Sequence, residues 1–178
     1  MSGPAVFLDR DGVINRAVIR DGRPFPPSSV SELEVLPGVH AALDELKAAG
    51  LALVVVTNQP DVARRIQRRE VVESINAALA ATLPIDEFRV CYHDDSDRCA
   101  CRKPEPGLLM QPPPHDLTRS VMVGDRWRDI EAGRRAGVRA TVLITSGHDE
   151  PCNVEPDFKV ESLQHAVPWI LNVIRKAS

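Results

Sequence analysis

The sequence predicts an α/β protein: a single three-layer, Rossmann-like domain with a mostly parallel sheet and helices on both of its faces. The first observation behind this prediction is that short β-branched runs alternate with segments whose apolar residues recur at helical spacing. The second is that several of the apolar runs end directly in acidic or hydroxyl residues. Such residues are typical of the carboxyl edge of a parallel sheet, where ligands bind.

The first third of the chain already contains both kinds of element. Residues 5–8 form a short apolar run that predicts a buried strand. Residues 15–37 are rich in proline and turn residues, so we expect a long loop or a small excursion there. Apolar residues at helical spacing then predict a helix at 39–49 that closes at Gly50, and residues 51–56 predict the next strand.

The same alternation continues to the end of the chain. Apolar residues three or four positions apart predict amphipathic helices, and β-branched runs bounded by turn residues predict strands. In chain order we expect a helix at 70–83, strands at 87–92 and 120–123, a helix at 128–136, a strand at 140–144 and a helix at 163–174.

Length and composition limit the possible classes of protein. With 178 residues, 43% hydrophobic and 26% charged, the chain is expected to form one globular domain over residues 1–178. Its formal charge of -3 gives no electrostatic reason to expect nucleic acid or a membrane surface as a partner. No apolar stretch approaches the roughly 18 residues of a membrane span, and Asp9 interrupts the apolar N-terminus. We therefore expect a cytoplasmic monomer.

Acidic and hydroxyl residues follow three of the predicted strands. Because the carboxyl ends of parallel strands meet at one edge of a sheet, we expect these side chains to converge. Several carboxylates in one place favour a bound cation, and oxygen ligands of high charge suit Mg²⁺. The alternative is that each carboxylate only caps the helix that follows it. The residues are Asp9 and Asp11, then Thr57 and Asn58, then Asp125 and Asp129.

Four motifs, FLDRDGVIN, VVVTN, RKP and GDRWRDIEAG, resemble in this order the four motifs of the haloacid dehalogenase superfamily. The resemblance spans most of the chain and implies a Mg²⁺-dependent phosphatase that forms a phospho-aspartate on Asp9. It implies that Asp11 is the general acid and base. It also implies that Asp9, the backbone carbonyl of Asp11 and Asp125 hold Mg²⁺.

The resemblance assigns roles to the remaining motif residues as well. Lys103 is expected to stabilise the negative charge of the transferring phosphoryl group. Thr57 and Asn58 are expected to contact that group or to hold the nucleophile, and Gln59 is expected to contact the substrate. Asp129 is expected to pair with Lys103 or the metal shell, with an exposed helix position as the alternative.

A second metal site is predicted between residues 91 and 101. Cys91 and His93 are two residues apart, as are Cys99 and Cys101, so each pair lies on one side of a locally extended chain. Four such ligands form a closed tetrahedral site, which favours structural Zn²⁺. The alternative is a set of buried or reactive thiols beside an incidental histidine. The fourth cysteine, Cys152, has no predicted role.

The zinc pattern before RKP resembles the branch that contains the heptose bisphosphate phosphatases and the histidinol-phosphate phosphatases. This implies a small phosphorylated sugar or similar metabolite as substrate, with Arg102 as a recognition residue unless it is simply an exposed loop arginine. The sequence departs from the branch at residues 16–37, which are longer and richer in proline, and at residues 58–65. Substrate contacts from residues 16–37 cannot be transferred, and residues 58–65 are expected to form a changed specificity loop. A third possibility is a zinc-stabilised binding module without catalysis.

Overall fold

A computed structural model describes residues 3–145 and 154–176, and a six-stranded sheet forms its centre. In chain order the elements are β1 (Ala5–Leu8), β2 (Val18–Arg20), β3 (Arg23–Phe25), α1 (Val39–Ala48), β4 (Ala52–Asn58), α2 (Arg69–Thr82), β5 (Glu87–Cys91), α3 (Gly107–Met110), β6 (Val121–Gly124), α4 (Trp127–Ala136), β7 (Ala140–Ile144), β8 (Phe158–Val160) and α5 (Leu163–Arg175). The sheet order is β5-β4-β1-β6-β7-β8, and every neighbouring pair is parallel.

Alternation along the strands explains the three layers. In β1, Val6 and Leu8 point into one apolar cluster, whereas Ala5 and Phe7 point into another on the opposite face. The first cluster packs against α1, α2 and α5, and the second against α3 and α4. Because both faces are covered, the strands are apolar on both sides. The predicted α/β architecture with helices on both faces is thus confirmed.

The segment expected to be a long loop contains more structure than predicted. Within residues 15–37, β2 and β3 form a small antiparallel hairpin in which Ile19 lies opposite Pro24. The hairpin is separate from the six-stranded sheet. Its strands are too short for periodicity to be recognised, and a proline argues against a strand in sequence analysis. Asn15 and Val35 are bridged at the base of the excursion, which brings its two ends together.

Two further short elements, α3 and β8, were not predicted. Each spans less than the length over which apolar periodicity identifies an element. None of the described helices combines the length and apolar character that crossing a bilayer requires. Cys152 lies outside the described residues.

Candidate active site

The site lies at the carboxyl edge of the sheet, where β1 is flanked by β4 and β6. Asp9 follows β1, Thr57 is near the end of β4, and Asp125 follows β6. Lys103 reaches the same place from the segment after the zinc-site residues. Asp9, Thr57 and Asp125 therefore lie close together, because the three strands that they follow or end are parallel and adjacent. A cavity of about 340 Å³ opens beside Asp9, Thr57 and Lys103, and residues of the β2–β3 hairpin form part of its wall.

A buried lysine lies at the centre of the site. The Nζ atom of Lys103 is 2.7 Å from Asp9 Oδ1 and 2.6 Å from Asp129 Oδ1, and it donates to the Val56 carbonyl oxygen at 2.7 Å. The lysine side chain is only 2% exposed. Burial alone would lower the pKa of Lys103, but the Asp129 and Asp9 carboxylates outweigh it and raise the pKa. Lys103 is therefore held as a cation in direct contact with Asp9.

Asp129 is not an exposed helix residue. Its side chain is 3% exposed, and one carboxylate oxygen pairs with Lys103. The other oxygen accepts a hydrogen bond from the backbone N–H of Arg126 at 3.1 Å, which caps the start of α4. Asp129 therefore both caps α4 and pairs with Lys103, and the exposed-helix alternative is wrong.

The negative charges of two other carboxylates, Asp9 and Asp125, are only partly compensated by positive neighbours. Burial, the largest influence, together with Asp129 and Asp11, raises the pKa of Asp9 to about 6 despite the opposing effect of Lys103. Burial and the nearby Asp9 and Asp129 raise the pKa of Asp125 well above its ordinary value. The Asp125 Oδ1 atom is buried and has no hydrogen-bond partner among residues 3–145 and 154–176. Such an arrangement fits a cation held between Asp9 and Asp125.

The donor set supports the same conclusion. Carboxylate oxygens of Asp9, Asp125 and Asp129 all lie within 4.8 Å of one another. Both oxygens of Asp129 already have partners, so Asp9 and Asp125 are the two side chains best able to hold a metal ion. Hard oxygen ligands of this kind fit Mg²⁺.

Gly12 allows this close approach. A Cβ atom at residue 12 would lie 2.1 Å from Asp125 Oδ2, and the backbone φ angle is +96°, a conformation that favours glycine. The turn after β1 therefore reaches Asp125 only because residue 12 lacks a side chain.

Asp11 is held by donors from three directions. Arg10 donates from its NH2 atom to both carboxylate oxygens, at 3.2 and 3.1 Å. Asn15 Nδ2 lies 2.9 Å from Oδ1, and Gln59 Nε2 lies 2.8 Å from Oδ2. Sequence analysis missed Arg10 and Asn15 as site residues. Both are inside the first motif, but nothing in the sequence indicates that Arg10 is buried.

The structure places Asn58 and Gln59 differently from the expected substrate contacts. The side-chain amide of Asn58 donates to the Lys103 carbonyl oxygen at 3.0 Å and accepts from the Lys103 backbone N–H at 3.1 Å. Gln59 is 1% exposed, and its Nε2 donates to Asp11 and to Thr57 Oγ1. Gln59 is thus buried behind Asp11 and Thr57, whereas Asn58 holds the Lys103 backbone and also lines the cavity.

Arginines line the mouth of the cavity, and they contact acidic residues in the segment between Cys91 and Cys101. Arg102 donates from Nε to Asp95 Oδ1 at 2.8 Å, and Arg128 lies 3.6 Å from the same oxygen. Arg102 is only 12% exposed, so it is not the exposed loop arginine of the alternative interpretation. Its NH1 atom is buried without a hydrogen-bond partner in the described part of the chain.

The side chains of the predicted second metal site lie close together, as their spacing in the sequence predicts; they are Cys91, His93, Cys99 and Cys101. The Sγ atoms of Cys91 and Cys101 are 3.1 Å apart, and His93 Nδ1 is 3.6 Å from Cys91 Sγ and 3.3 Å from Cys101 Sγ. Cys99 Sγ lies 3.5 Å from Cys101 Sγ and 3.7 Å from Cys91 Sγ. The ligands of a tetrahedral zinc ion with Zn–S bonds of about 2.3 Å are roughly 3.7 Å apart. The cluster therefore fits a metal closely, and its cysteines are free thiols.

Burial raises the pKa of two of these thiols, but their net pKa shifts have opposite signs. It is the largest influence on Cys91, and it raises the pKa of that thiol. At Cys99 burial also opposes ionisation, but backbone hydrogen bonds from Arg102 and Cys101 outweigh it and lower the pKa to about 7. Cys99 is thus the thiol most ready to offer a thiolate to a metal.

Comparison with known proteins places this geometry in a family. A model of the HAD-hydrolase-like family matches residues 100–166. The chain is 34% identical to D-glycero-beta-D-manno-heptose-1,7-bisphosphate 7-phosphatase of Escherichia coli (strain K12), over 96% of this chain and 90% of that protein. It is 39% identical to D-glycero-alpha-D-manno-heptose-1,7-bisphosphate 7-phosphatase of Mycobacterium tuberculosis (strain H37Rv), over 78% of each chain.

A solved structure extends the similarity to the fold. The crystal structure of D,D-heptose 1,7-bisphosphate phosphatase from B. bronchiseptica, complexed with magnesium and phosphate, superposes with a TM-score of 0.80. The two chains are 30% identical, and the match covers 95% of this chain and 98% of the other.

The carboxylate cluster predicts a pH-dependent stabilisation by Mg²⁺. A carboxyl group whose pKa rises from 3.8 to about 6 on folding stabilises the folded state at low pH, and this stability is lost as the pH rises through that interval. Mg²⁺ at 100 times its dissociation constant should therefore raise Tm by roughly 5–10 °C at pH 7.5. The rise at pH 5 should be much smaller, because Asp9 is then largely protonated and binds a cation less well. Thermal unfolding with and without MgCl₂ measures both shifts.

The variant Asp125→Asn is expected to remove this Mg²⁺ effect and to stabilise the metal-free protein, because it removes a buried, poorly compensated charge. Asp44→Asn, a matched change at a side chain that is 63% exposed, should leave both Tm shifts unchanged. An equal Mg²⁺ shift at both pH values, or its persistence in Asp125→Asn, would contradict the assignment.

Proposed function

Because the chain belongs to the HAD-like phosphatase family that includes the heptose 1,7-bisphosphate 7-phosphatases, we propose that it hydrolyses the 7-phosphate of D-glycero-D-manno-heptose 1,7-bisphosphate. The names of the relatives and their similarity over most of the chain support this substrate. The observation that carries the reaction type is the buried contact between Lys103 and Asp9 beside Asp125.

Asp9 is the proposed nucleophile. Its carboxylate oxygen attacks phosphorus opposite the sugar oxygen, the phosphorus–oxygen bond to the sugar breaks, and a phospho-aspartate forms. A pKa of about 6 leaves most of the Asp9 population ionised at neutral pH. Lys103 Nζ, which is 2.7 Å from Asp9 Oδ1, supplies positive charge where the phosphoryl oxygens accumulate negative charge.

Asp11 is the proposed acid and base. It gives a proton to the departing sugar oxygen, and it then takes a proton from the water that attacks the phospho-aspartate. Water cleaves the new bond and releases inorganic phosphate, which returns Asp9 to its starting form. Asn15 and Gln59 donate hydrogen bonds to the Asp11 carboxylate and help to hold it during these two transfers.

Mg²⁺ would be held by Asp9 and Asp125, together with the backbone carbonyl of Asp11 that the family resemblance implies. When bound, the ion neutralises charge on the phosphoryl group and on the carboxylates that surround it. Asp129 is the supporting residue, because its carboxylate is already bound to Lys103 and to the Arg126 backbone.

Arg102 is the proposed recognition residue for the sugar. Its guanidinium is fixed by Asp95, and the side chain lines the cavity, where it can contact a hydroxyl or the second phosphate. Zn²⁺ in the cluster of Cys91, His93, Cys99 and Cys101 would be structural, since all four ligand positions are occupied by protein. It would fix the loop that carries Asp95 and Arg102.

The substrate assignment is tested by a panel of phosphate esters. With Mg²⁺ and zinc-replete protein, we expect kcat/KM for one anomer of heptose 1,7-bisphosphate to exceed that for other sugar phosphates by about a hundredfold, since a correctly placed charge pair contributes several kcal/mol. Phosphate release measures the rates. Both anomers belong in the panel, because relatives named for each are similar to this chain.

Histidinol phosphate belongs in the same panel as the alternative substrate. A preference for it would replace the heptose assignment but keep the phosphatase mechanism. A protein that released phosphate from none of the esters would contradict the proposed function.

The nucleophile assignment predicts the behaviour of Asp9→Asn. Turnover should fall by at least about 10³-fold, because an amide cannot form the phospho-enzyme. The variant should still fold, since Lys103 keeps Asp129 and the Val56 carbonyl as partners. Activity and thermal unfolding are measured together, with Asp44→Asn as the matched control. An active Asp9→Asn protein would exclude Asp9 as the nucleophile.

The structural role of zinc predicts an indirect loss of activity on metal removal. A chelator selective for Zn²⁺ should lower both Tm and turnover, and added Zn²⁺ but not Mg²⁺ should restore them. Metal analysis should find about one zinc per chain, as expected for a closed four-ligand site. Cys101→Ser should lose the zinc, whereas Ser96→Ala, at an exposed position in the same loop, should keep it. Full activity in a zinc-free protein would contradict this role.

A further inference from the structure

Arg10 is a buried charge that the proposed reaction has not yet explained. It lies between the two aspartates of the first motif, and it is the largest of the fully buried side chains, with 0% exposure. Taking a guanidinium out of water is costly unless charges and hydrogen bonds compensate for it. The partners of Arg10 therefore indicate what its burial serves.

Those partners are Asp11 on one side and Asn76 on the other. The NH2 atom of Arg10 contacts both oxygens of Asp11, and its Nε lies 3.3 Å from Asp11 Oδ1. The NH1 atom donates to Asn76 Oδ1 at 2.8 Å. Within residues 3–145 and 154–176, the only ion pair of Arg10 is with Asp11.

Asn76 is placed for this contact by the sequence of α2. The buried residues of the helix are Val72, Ile75, Asn76 and Leu79, and Asn76 is the only polar one. An amide on an otherwise apolar helix face needs a partner. The helix thus anchors the far side of the guanidinium, while the near side holds Asp11.

We propose that Arg10 is a positioning residue for Asp11, and that Asn76 fixes Arg10 in the orientation that this requires. Asn15 and Gln59 also donate to Asp11, but Arg10 is the charged donor and is anchored at both ends. The inference rests on the proposed function, in which Asp11 transfers the proton.

Positioning of the proton donor has a specific kinetic consequence. When the phosphorus–oxygen bond of a sugar phosphate breaks, the sugar oxygen leaves as an alkoxide unless Asp11 protonates it. The leaving groups of p-nitrophenyl phosphate and acetyl phosphate are stable anions that depart without a proton. A misplaced Asp11 should therefore slow the hydrolysis of sugar phosphates, whose leaving group needs a proton. It should not slow the hydrolysis of p-nitrophenyl phosphate and acetyl phosphate, whose leaving groups need none. A general structural fault should slow both classes of substrate.

The test uses Asn76, because a substitution of fully buried Arg10 can prevent folding. Asn76→Leu keeps the number and branching of the side-chain heavy atoms but offers no acceptor for Arg10. We expect its kcat/KM, which reports the steps up to phospho-enzyme formation, to fall by about tenfold for the best sugar phosphate of the panel. For p-nitrophenyl phosphate and acetyl phosphate it should change by less than about twofold.

Two matched variants distinguish a loss of Asp11 positioning from a loss of protein stability. Asn76→Asp keeps an oxygen acceptor at the same place and should restore kcat/KM for the sugar phosphate. Ile75→Val lowers the stability of the same helix without touching Arg10, and it should show no difference between the two classes of ester.

The outcomes distinguish this inference from the proposed function. If the native protein is active and Asn76→Leu slows both classes equally, or slows neither, the positioning role of Arg10 is overturned while the phosphatase assignment remains. If the native protein hydrolyses no phosphate ester, the proposed function and this inference are both overturned.

Discussion

The charge balance around Lys103 is the constraint on which the rest of the structure depends. Asp9, Asp125 and Asp129 contribute three negative charges when ionised, and Lys103 contributes one positive charge, which leaves a net charge of about -2 in a largely buried space. A divalent cation would balance this charge. Burial and the neighbouring carboxylates raise the pKa values of Asp9 and Asp125, as expected where carboxylates are gathered to bind a cation.

The fold supplies this cluster through a few specific contacts. Asn58, at the end of β4, donates a hydrogen bond to the Lys103 carbonyl oxygen and accepts one from the Lys103 backbone N–H. The Val56 carbonyl oxygen accepts a hydrogen bond from Lys103 Nζ. The Lys103 segment in turn follows the cysteine and histidine cluster. The segment that carries the cysteine and histidine cluster and the central strands therefore both determine where the Lys103 ammonium group lies. A disturbance in either would reach Asp9 through the same lysine.

The sequence predicted the architecture and the chemical groups better than their individual contacts. Long apolar strands such as β4 and amphipathic helices such as α5 were predicted because their periodicity is strong. The convergence of Asp9, Thr57 and Asp125 followed from parallel pairing alone. The burial of Gln59 was not foreseen, because a polar side chain at a strand end looks the same in sequence whether it faces a ligand or the protein interior. Burial of Arg10 depends on α2, which is distant in sequence, so no local pattern could indicate it.

The β2–β3 hairpin has a different consequence. Among the described residues its two strands pair only with each other, yet Pro24, Phe25 and Pro26 line the cavity beside Asp9 and Asp11. Because no strand of the central sheet depends on its register, its sequence and length can change without moving Asp9 or Lys103. The chemistry and the shape of the substrate opening thus reside in separately variable parts of one chain.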